Sequence, residues 1–156
     1  MNPAQDLVLR ARQLAAAAHT GQYDKAGEPY IAHPARVAAD VELTAPAPMR
    51  DNAVAVAWLH DVVEDTDITL AEIRTRFGSI VADAVGAITH RRHEPRAVYY
   101  RRVAANPLAL LVKVADIVDN ADPDRLAALD EPTRQRLQVK YETALGALLK
   151  PELATP

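Results

Sequence analysis

His60, Asp61, Glu64 and Asp65 fall within one short run, Trp58-Leu59-His60-Asp61-Val62-Val63-Glu64-Asp65-Thr66. The run closes an apolar, helix-forming stretch, Ala53 to Val63. Residues four apart share a helix face, so the spacing predicts His60 above Glu64 and Asp61 above Asp65. One imidazole and three carboxylates beside Trp58, Leu59, Val62 and Val63 lose hydration, and the carboxylates repel one another, unless a cation neutralises them. Such a patch offers half of a metal site.

A second segment supplies the other half. Asp116 and Asn120 are four apart on an apolar helical run, with Lys113 one turn earlier on the same side. A carboxylate among Val112, Val114, Ile117 and Val118 needs a partner, and for a lone aspartate an arginine would serve. His33 precedes Pro34, which suits the first turn of a helix, so its ring stands at a helix entrance. Taken together, His33, His60, Asp61 and Asp116 are two imidazoles and two carboxylates from three helices. That set suits a divalent metal with positions left open for water and substrate.

The elements that must hold these residues read as helices throughout. Apolar periodicity and stop signals predict helices over 6–19, 34–43, 53–63, 70–77, 80–88, 96–105, from Pro107, and over 131–149. Thr69 and Gly78 bracket the short helix 70–77. Asp122-Pro123 reads as a turn, and Pro151 ends the last helix. The period-two alternation of a strand is missing. The 156 residues are 49% hydrophobic and 25% charged, with no cysteine and only 4% aromatics, which fits one alanine-rich, all-α domain. A net charge of -3 argues against a general affinity for nucleic acid or membranes. No apolar run approaches the roughly 18 residues of a membrane span, and Met1-Asn2-Pro3 does not open a signal peptide. The expectation is a soluble cytoplasmic protein, and the sequence sets no oligomeric state.

The ordered set His33…His60-Asp61…Asp116 resembles the signature of the HD-domain metal-dependent phosphohydrolases. The longer match is similar to the hydrolase domain of RelA/SpoT enzymes and, in length, to stand-alone small alarmone hydrolases. It runs from Gly21-Gln22 through Pro29-Tyr30-Ile31-Ala32-His33-Pro34 and His60-Asp61-Val62-Val63-Glu64-Asp65-Thr66 to Lys113-Val114-Ala115-Asp116 and Asn120. The resemblance covers about Ala18 to Asn120. It implies a single HD-domain helical bundle over 1–156, core about 4–150, of roughly seven to nine helices. It implies one Mn²⁺ per chain on His33, His60, Asp61 and Asp116, with Glu64 and Asp65 as the catalytic pair. It also implies that Asn120 contacts the substrate sugar and that Lys25 lies against the nucleotide. The implied activity is removal of the 3′-pyrophosphate of ppGpp or pppGpp, giving GDP or GTP and pyrophosphate.

Two positions depart from the family pattern. Asp24 replaces a basic residue before Lys25, and Ala121-Asp122 replaces Leu-Arg after Asn120. Arg91, Arg92, Arg136 and Lys140 are candidates to restore positive charge for the substrate, with Arg96, Arg101 and Arg102 as further cations of the same stretch. The departures keep open another phosphorylated nucleotide such as NADPH as substrate; a non-catalytic nucleotide-binding module is the third reading. His19 reads as a helix-end cap, Trp58 as core, Tyr23, Tyr99, Tyr100 and Tyr141 as core with base stacking as the alternative, and His90 and His93 as surface residues rather than ligands of a second metal.

Overall fold

Ala53, Val54, Ala55, Val56, Ala57 and Leu59 are all buried, so their helix, α3 (Arg50–Leu59), has no polar stripe beyond its first turn. A helix apolar on every side must be surrounded. The computed structural model describes residues 3–150 and shows what surrounds it. Helices α1 (Pro3–Ala18), α2 (Ala32–Thr44), α6 (Ser79–Ile88) and α8 (Pro107–Asn120) all pack on α3. Alanines at the contacts let the backbones approach closely. On the far side of α8 lie α7 (Arg96–Ala104) and α10 (Glu131–Leu149), while α5 (Leu70–Phe77) covers α6. Two short pieces, α4 (Val62–Asp65) and α9 (Pro123–Ala127), complete the set. Among the described residues, eight helices have eight residues or more, and the one β-bridge joins Tyr23 to Pro29 in the α1–α2 loop.

Most helix ends lie where the local chemistry puts them. Thr69 and Glu72 form a reciprocal capping box at α5: the Glu72 amide donates to Thr69 Oγ1 (3.2 Å) and the Thr69 amide to Glu72 Oε2 (2.8 Å). Gly78, at φ 86°, closes α5 in a conformation that other residues rarely adopt. Asn106 caps α8 ahead of Pro107, its Oδ1 accepting from the Ala109 amide. Asp122-Pro123, expected to be a turn, instead starts α9, because the Asp122 carboxylate accepts from the Asp124 and Arg125 amides. The expected stop at Pro151 and the extreme ends of the expected 1–156 domain lie outside the described residues. Among those described, no helix is long and apolar enough to cross a membrane.

The expected continuous helix from Ala53 to Val63 is broken. α3 stops at Leu59, His60 and Asp61 form a turn, and α4 restarts at Val62. The cause is the His60 ring, whose Nδ1 donates to the Ala57 carbonyl at 2.7 Å. A continuing helix would offer that carbonyl to the Asp61 amide. Across the break, His60 and Glu64 still line one pocket, and Asp61 and Asp65 still neighbour Tyr30.

Candidate metal centre and its pocket

The break at His60 turns the ring inward. His60 is 2% exposed, and with Nδ1 bound to Ala57 its Nε2 is buried without a hydrogen-bond partner. That nitrogen lies 3.0 Å from Asp61 Oδ2 and 3.8 Å from Asp116 Oδ1. His33, in the first turn of α2, brings its Nε2 to 3.1 Å from Asp116 Oδ1 and 3.7 Å from Asp61 Oδ2. Ligands that share one cation at about 2.1 Å sit roughly 3 Å apart, and the two shortest His–Asp contacts, 3.0 and 3.1 Å, match that spacing. His33, His60 and Asp116 offer ligand atoms all within 4.8 Å of one another and could hold a metal ion. Asp61 abuts them, its Oδ2 also accepting the Tyr30 hydroxyl at 2.6 Å. A buried nitrogen with no partner, aimed between carboxylate oxygens, has the donor chemistry of a divalent-cation site.

Without a cation, protons and Lys113 balance the carboxylates. Burial alone would raise the pKa of Asp116; Lys113 and the two imidazoles instead hold it well below the usual carboxylate range. Lys113 Nζ, one turn earlier on the same helix, donates to Asp116 Oδ2 at 2.7 Å. Asn120 Nδ2 donates to Asp116 Oδ1 at 2.7 Å. Burial works against charging His33, yet its bonds to Asp116 and Asp119 push its pKa up to about 9. Burial and the charges of Asp61 and Glu64 raise Asp65 above the ordinary aspartate value.

The centre opens into a pocket. His60, Asp61, Asp116, Glu64 and Asn120 line it together with Lys113, Arg96, Lys140, His90 and Tyr141. Glu64 is held there by the His90 amide, which donates to its Oε2 at 2.9 Å. Asp65 does not line this pocket; it lies near Tyr30, and its carbonyl accepts from Gln22 Nε2 at 3.1 Å. Lys140 is depressed by burial and then by repulsion from Arg96, Lys113 and Lys25. Lys25 therefore adds to the same positive field, although it is exposed and off the lining.

Several expectations need correction. Arg91, Arg92 and Arg136 are exposed and do not line the pocket; the basic wall is Arg96, Lys113 and Lys140. Asp24 and Asp122 are not on the lining either. Asp24 Oδ1 accepts the Ala26 and Glu28 amides (2.9 Å each) and so closes the loop before α2, while Asp122 caps α9. Both aspartates satisfy backbone donors. His90 is not a plain surface residue: its ring lies edge-on to Tyr99 at 5.0 Å and lines the pocket. His19 is buried, its Nδ1 2.8 Å from Gln22 Oε1. The sequence reading assigned no role to Tyr30 and Asp119, which both touch the centre. Asp119 carried a signal, since it lies three residues beyond Asp116 on the same helix.

Comparison with known proteins matches this geometry to a family. The HD domain model matches residues 11–143. The guanosine-3′,5′-bis(diphosphate) 3′-pyrophosphohydrolase of Aquifex aeolicus is 37% identical over 121 residues, covering 72% of this chain and 17% of that protein. The bifunctional (p)ppGpp synthase/hydrolase SpoT of Escherichia coli is 32% identical over 130 residues, covering 74% of this chain and 18% of that protein. The chain thus spans about a sixth of the length of the curated relatives it matches. A solved structure, described as a metazoan ortholog of SpoT that hydrolyzes ppGpp, superposes with a TM-score of 0.74 at 26% identity. That match covers 91% of this chain and 85% of the other. An all-α bundle that closes two histidines and an aspartate around one point, matched by the family model over most of its length, identifies this chain as a member of the HD-domain family.

Proposed function

We propose that this chain is a Mn²⁺-dependent phosphohydrolase that removes the 3′-pyrophosphate of ppGpp or pppGpp, giving GDP or GTP and pyrophosphate, in the cytoplasm. The observation that carries the reading is the pocket itself. His60, Asp61 and Asp116 line it, with His33 in contact with Asp116, and three cations, Arg96, Lys113 and Lys140, stand in the same lining. A divalent ion on the carboxylates would leave those cations free for a substrate dense in phosphate. The names of the relatives point to the same substrate.

In this reading His33, His60, Asp61 and Asp116 hold the ion. A bound divalent ion supplies positive charge against the phosphoryl oxygens and acidifies water. Hydrolysis forms a bond from a water oxygen to the phosphorus on the 3′ oxygen and breaks the bond from that phosphorus to the 3′ oxygen. The water loses a proton and the departing 3′ oxygen gains one. Glu64, fixed on the pocket wall by the His90 amide, is placed to take the water's proton. Asp65, on the Tyr30 side, is the second carboxylate of the pair and serves the proton delivered to the leaving oxygen. Asn120, held against Asp116, faces the sugar. Residues 1–156 act as a single HD domain.

The alternative substrate NADPH rests on Asp24 and Asp122, neither of which lines the pocket. The test is incubation of the purified protein with Mn²⁺ and ppGpp, pppGpp or NADPH, with an EDTA control. EDTA-sensitive release of pyrophosphate from ppGpp and pppGpp, but no phosphate from NADPH, is expected. Metal-dependent turnover of NADPH alone would overturn the substrate assignment.

A further inference from the structure

His33 approaches the centre through Nε2, and its other ring nitrogen is also occupied. Nδ1 lies 2.7 Å from Asp119 Oδ2. Asp119 in turn accepts from Arg36 twice, Nε to Oδ1 at 2.7 Å and Nη2 to Oδ2 at 3.1 Å. The four residues form a chain, Asp116–His33–Asp119–Arg36, across two helices. His33 and Arg36 lie on α2, Asp116 and Asp119 on α8, and His33 contacts both aspartates. Asp119 is only 12% exposed, so this carboxylate is fixed by its partners rather than free in water.

The chemistry of the pair is one-directional. An ionised carboxylate only accepts hydrogen bonds, so its partner Nδ1 must carry the hydrogen. That fixes the tautomer for metal binding: when a cation takes the place of the Nε2 proton, the Nε2 lone pair is the one free to ligate it. A carboxylate on the far nitrogen also makes the ring a stronger electron donor. His60 obtains the same tautomer from the neutral Ala57 carbonyl, so the two imidazoles are unequal donors. Arg36 holds the carboxylate in the plane that His33 needs.

We propose that Asp119, clamped by Arg36, is the positioning residue of His33 and that this couple sets the affinity of the centre for a divalent cation. The proposal rests on the reading that His33 is a metal ligand, and it is independent of which nucleotide is cleaved.

The test uses the full chain stripped of metal and titrated with Mn²⁺ without nucleotide, the free ion being followed by electron paramagnetic resonance. Asp119→Asn keeps an acceptor but loses the charge, and should weaken Mn²⁺ binding about 10-fold; Asp119→Ala loses both and should approach 100-fold. Arg36→Met leaves the carboxylate but unclamps it and should give a smaller loss. A circular dichroism spectrum and a metal-free melt accompany each variant. A purely structural role would lower the melting temperature and leave the affinity unchanged. Folded Asp119→Asn and Arg36→Met proteins that bind Mn²⁺ like the parent would overturn the proposal, as would a parent that binds no Mn²⁺. Asp119→Asn and Arg36→Met decide the matter even if Asp119→Ala fails to fold. Failure of the hydrolase reading looks different: the parent binds Mn²⁺ and turns over no nucleotide, while the affinity series still holds.

Discussion

Arg102 gives the most quantitative prediction. Its Nη1 donates to the Gly86 and Ala87 carbonyls at 2.6 and 2.7 Å, and its Nη2 to the Thr89 carbonyl at 3.1 Å and to Glu94 Oε2 at 2.5 Å. One guanidinium therefore satisfies the open carbonyls at the end of α6 and ties them to the loop before α7. Arg102→Met keeps much of the stem and removes every one of these bonds. The side chain of Glu94 is 8% exposed and would lose its ion-pair partner, keeping only the Arg91 amide at 3.2 Å; the loss is about 3–5 kcal/mol for a fully buried pair. Arg102 is 19% exposed, and water can reach part of the vacated space, so about 3 kcal/mol is the working figure. For a chain of this size that lowers the melting temperature by roughly 6–12 °C. The damage also reaches the pocket, because the same loop carries the His90 amide that holds Glu64. A thermal melt followed by circular dichroism, beside a nucleotide turnover assay, reads both effects. Adding Glu94→Gln should restore part of the lost stability, since the stranded charge is gone. A single mutant that melts within about 2 °C of the parent would refute the reasoning.

The same pair sets a pH dependence. Burial would raise the pKa of Glu94, but its bonds to Arg102 hold it below the usual carboxylate range. The stability it contributes is complete above the unfolded pKa of about 4.3 and is lost as pH falls through the depressed folded value; melts at pH 7, 5 and 3 should therefore show the deficit of Arg102→Met shrinking toward pH 3. Lys140→Met removes one cation from the pocket wall and should raise KM for a polyphosphate nucleotide about tenfold, with kcat little changed, in steady-state kinetics. Asp24→Ala strands two amides of the α1–α2 loop and should lose about 1–2 kcal/mol in a urea melt. Its KM should stay within a factor of about two, and a large change in KM would return Asp24 to the substrate site.

The fold was legible wherever pattern and cap agreed. The limits 70–77 and 131–149 read from the sequence coincide with α5 and α10, because Thr69 with Gly78, and Asp130 with its bond to the Thr133 amide, mark ends that local chemistry sets. The break after Leu59 was illegible for the opposite reason. Every residue of Ala53 to Val63 favours or tolerates a helix, and only the third-neighbour bond from His60 to Ala57 ends it. At the site, the order of His33, His60, Asp61 and Asp116 in the chain carried the reading, and the structure brings their ligand atoms within 3.8 Å along the His–Asp contacts. The substrate wall was harder to read. Many arginines lie between Arg91 and Arg102, and periodicity does not say which face the pocket: Arg96 does, Arg91 and Arg92 do not, and Arg102 is committed to carbonyls. Asp24 and Asp122 misled because an aspartate that caps backbone amides looks, in sequence, like a negative charge free to meet a substrate.

The central claim is that His33, His60 and Asp116 hold a divalent ion on which hydrolysis depends. The most direct measurement counts Mn²⁺ bound per chain and the pyrophosphate released from ppGpp, in the parent and in His60→Gln. Replacement at His60 removes the partnerless Nε2 while keeping a group able to donate to Ala57. The account predicts one Mn²⁺ per parent chain with pyrophosphate release, and loss of both in a His60→Gln protein that remains folded. A folded His60→Gln protein that still binds one Mn²⁺ and releases pyrophosphate at the parent's rate would contradict it.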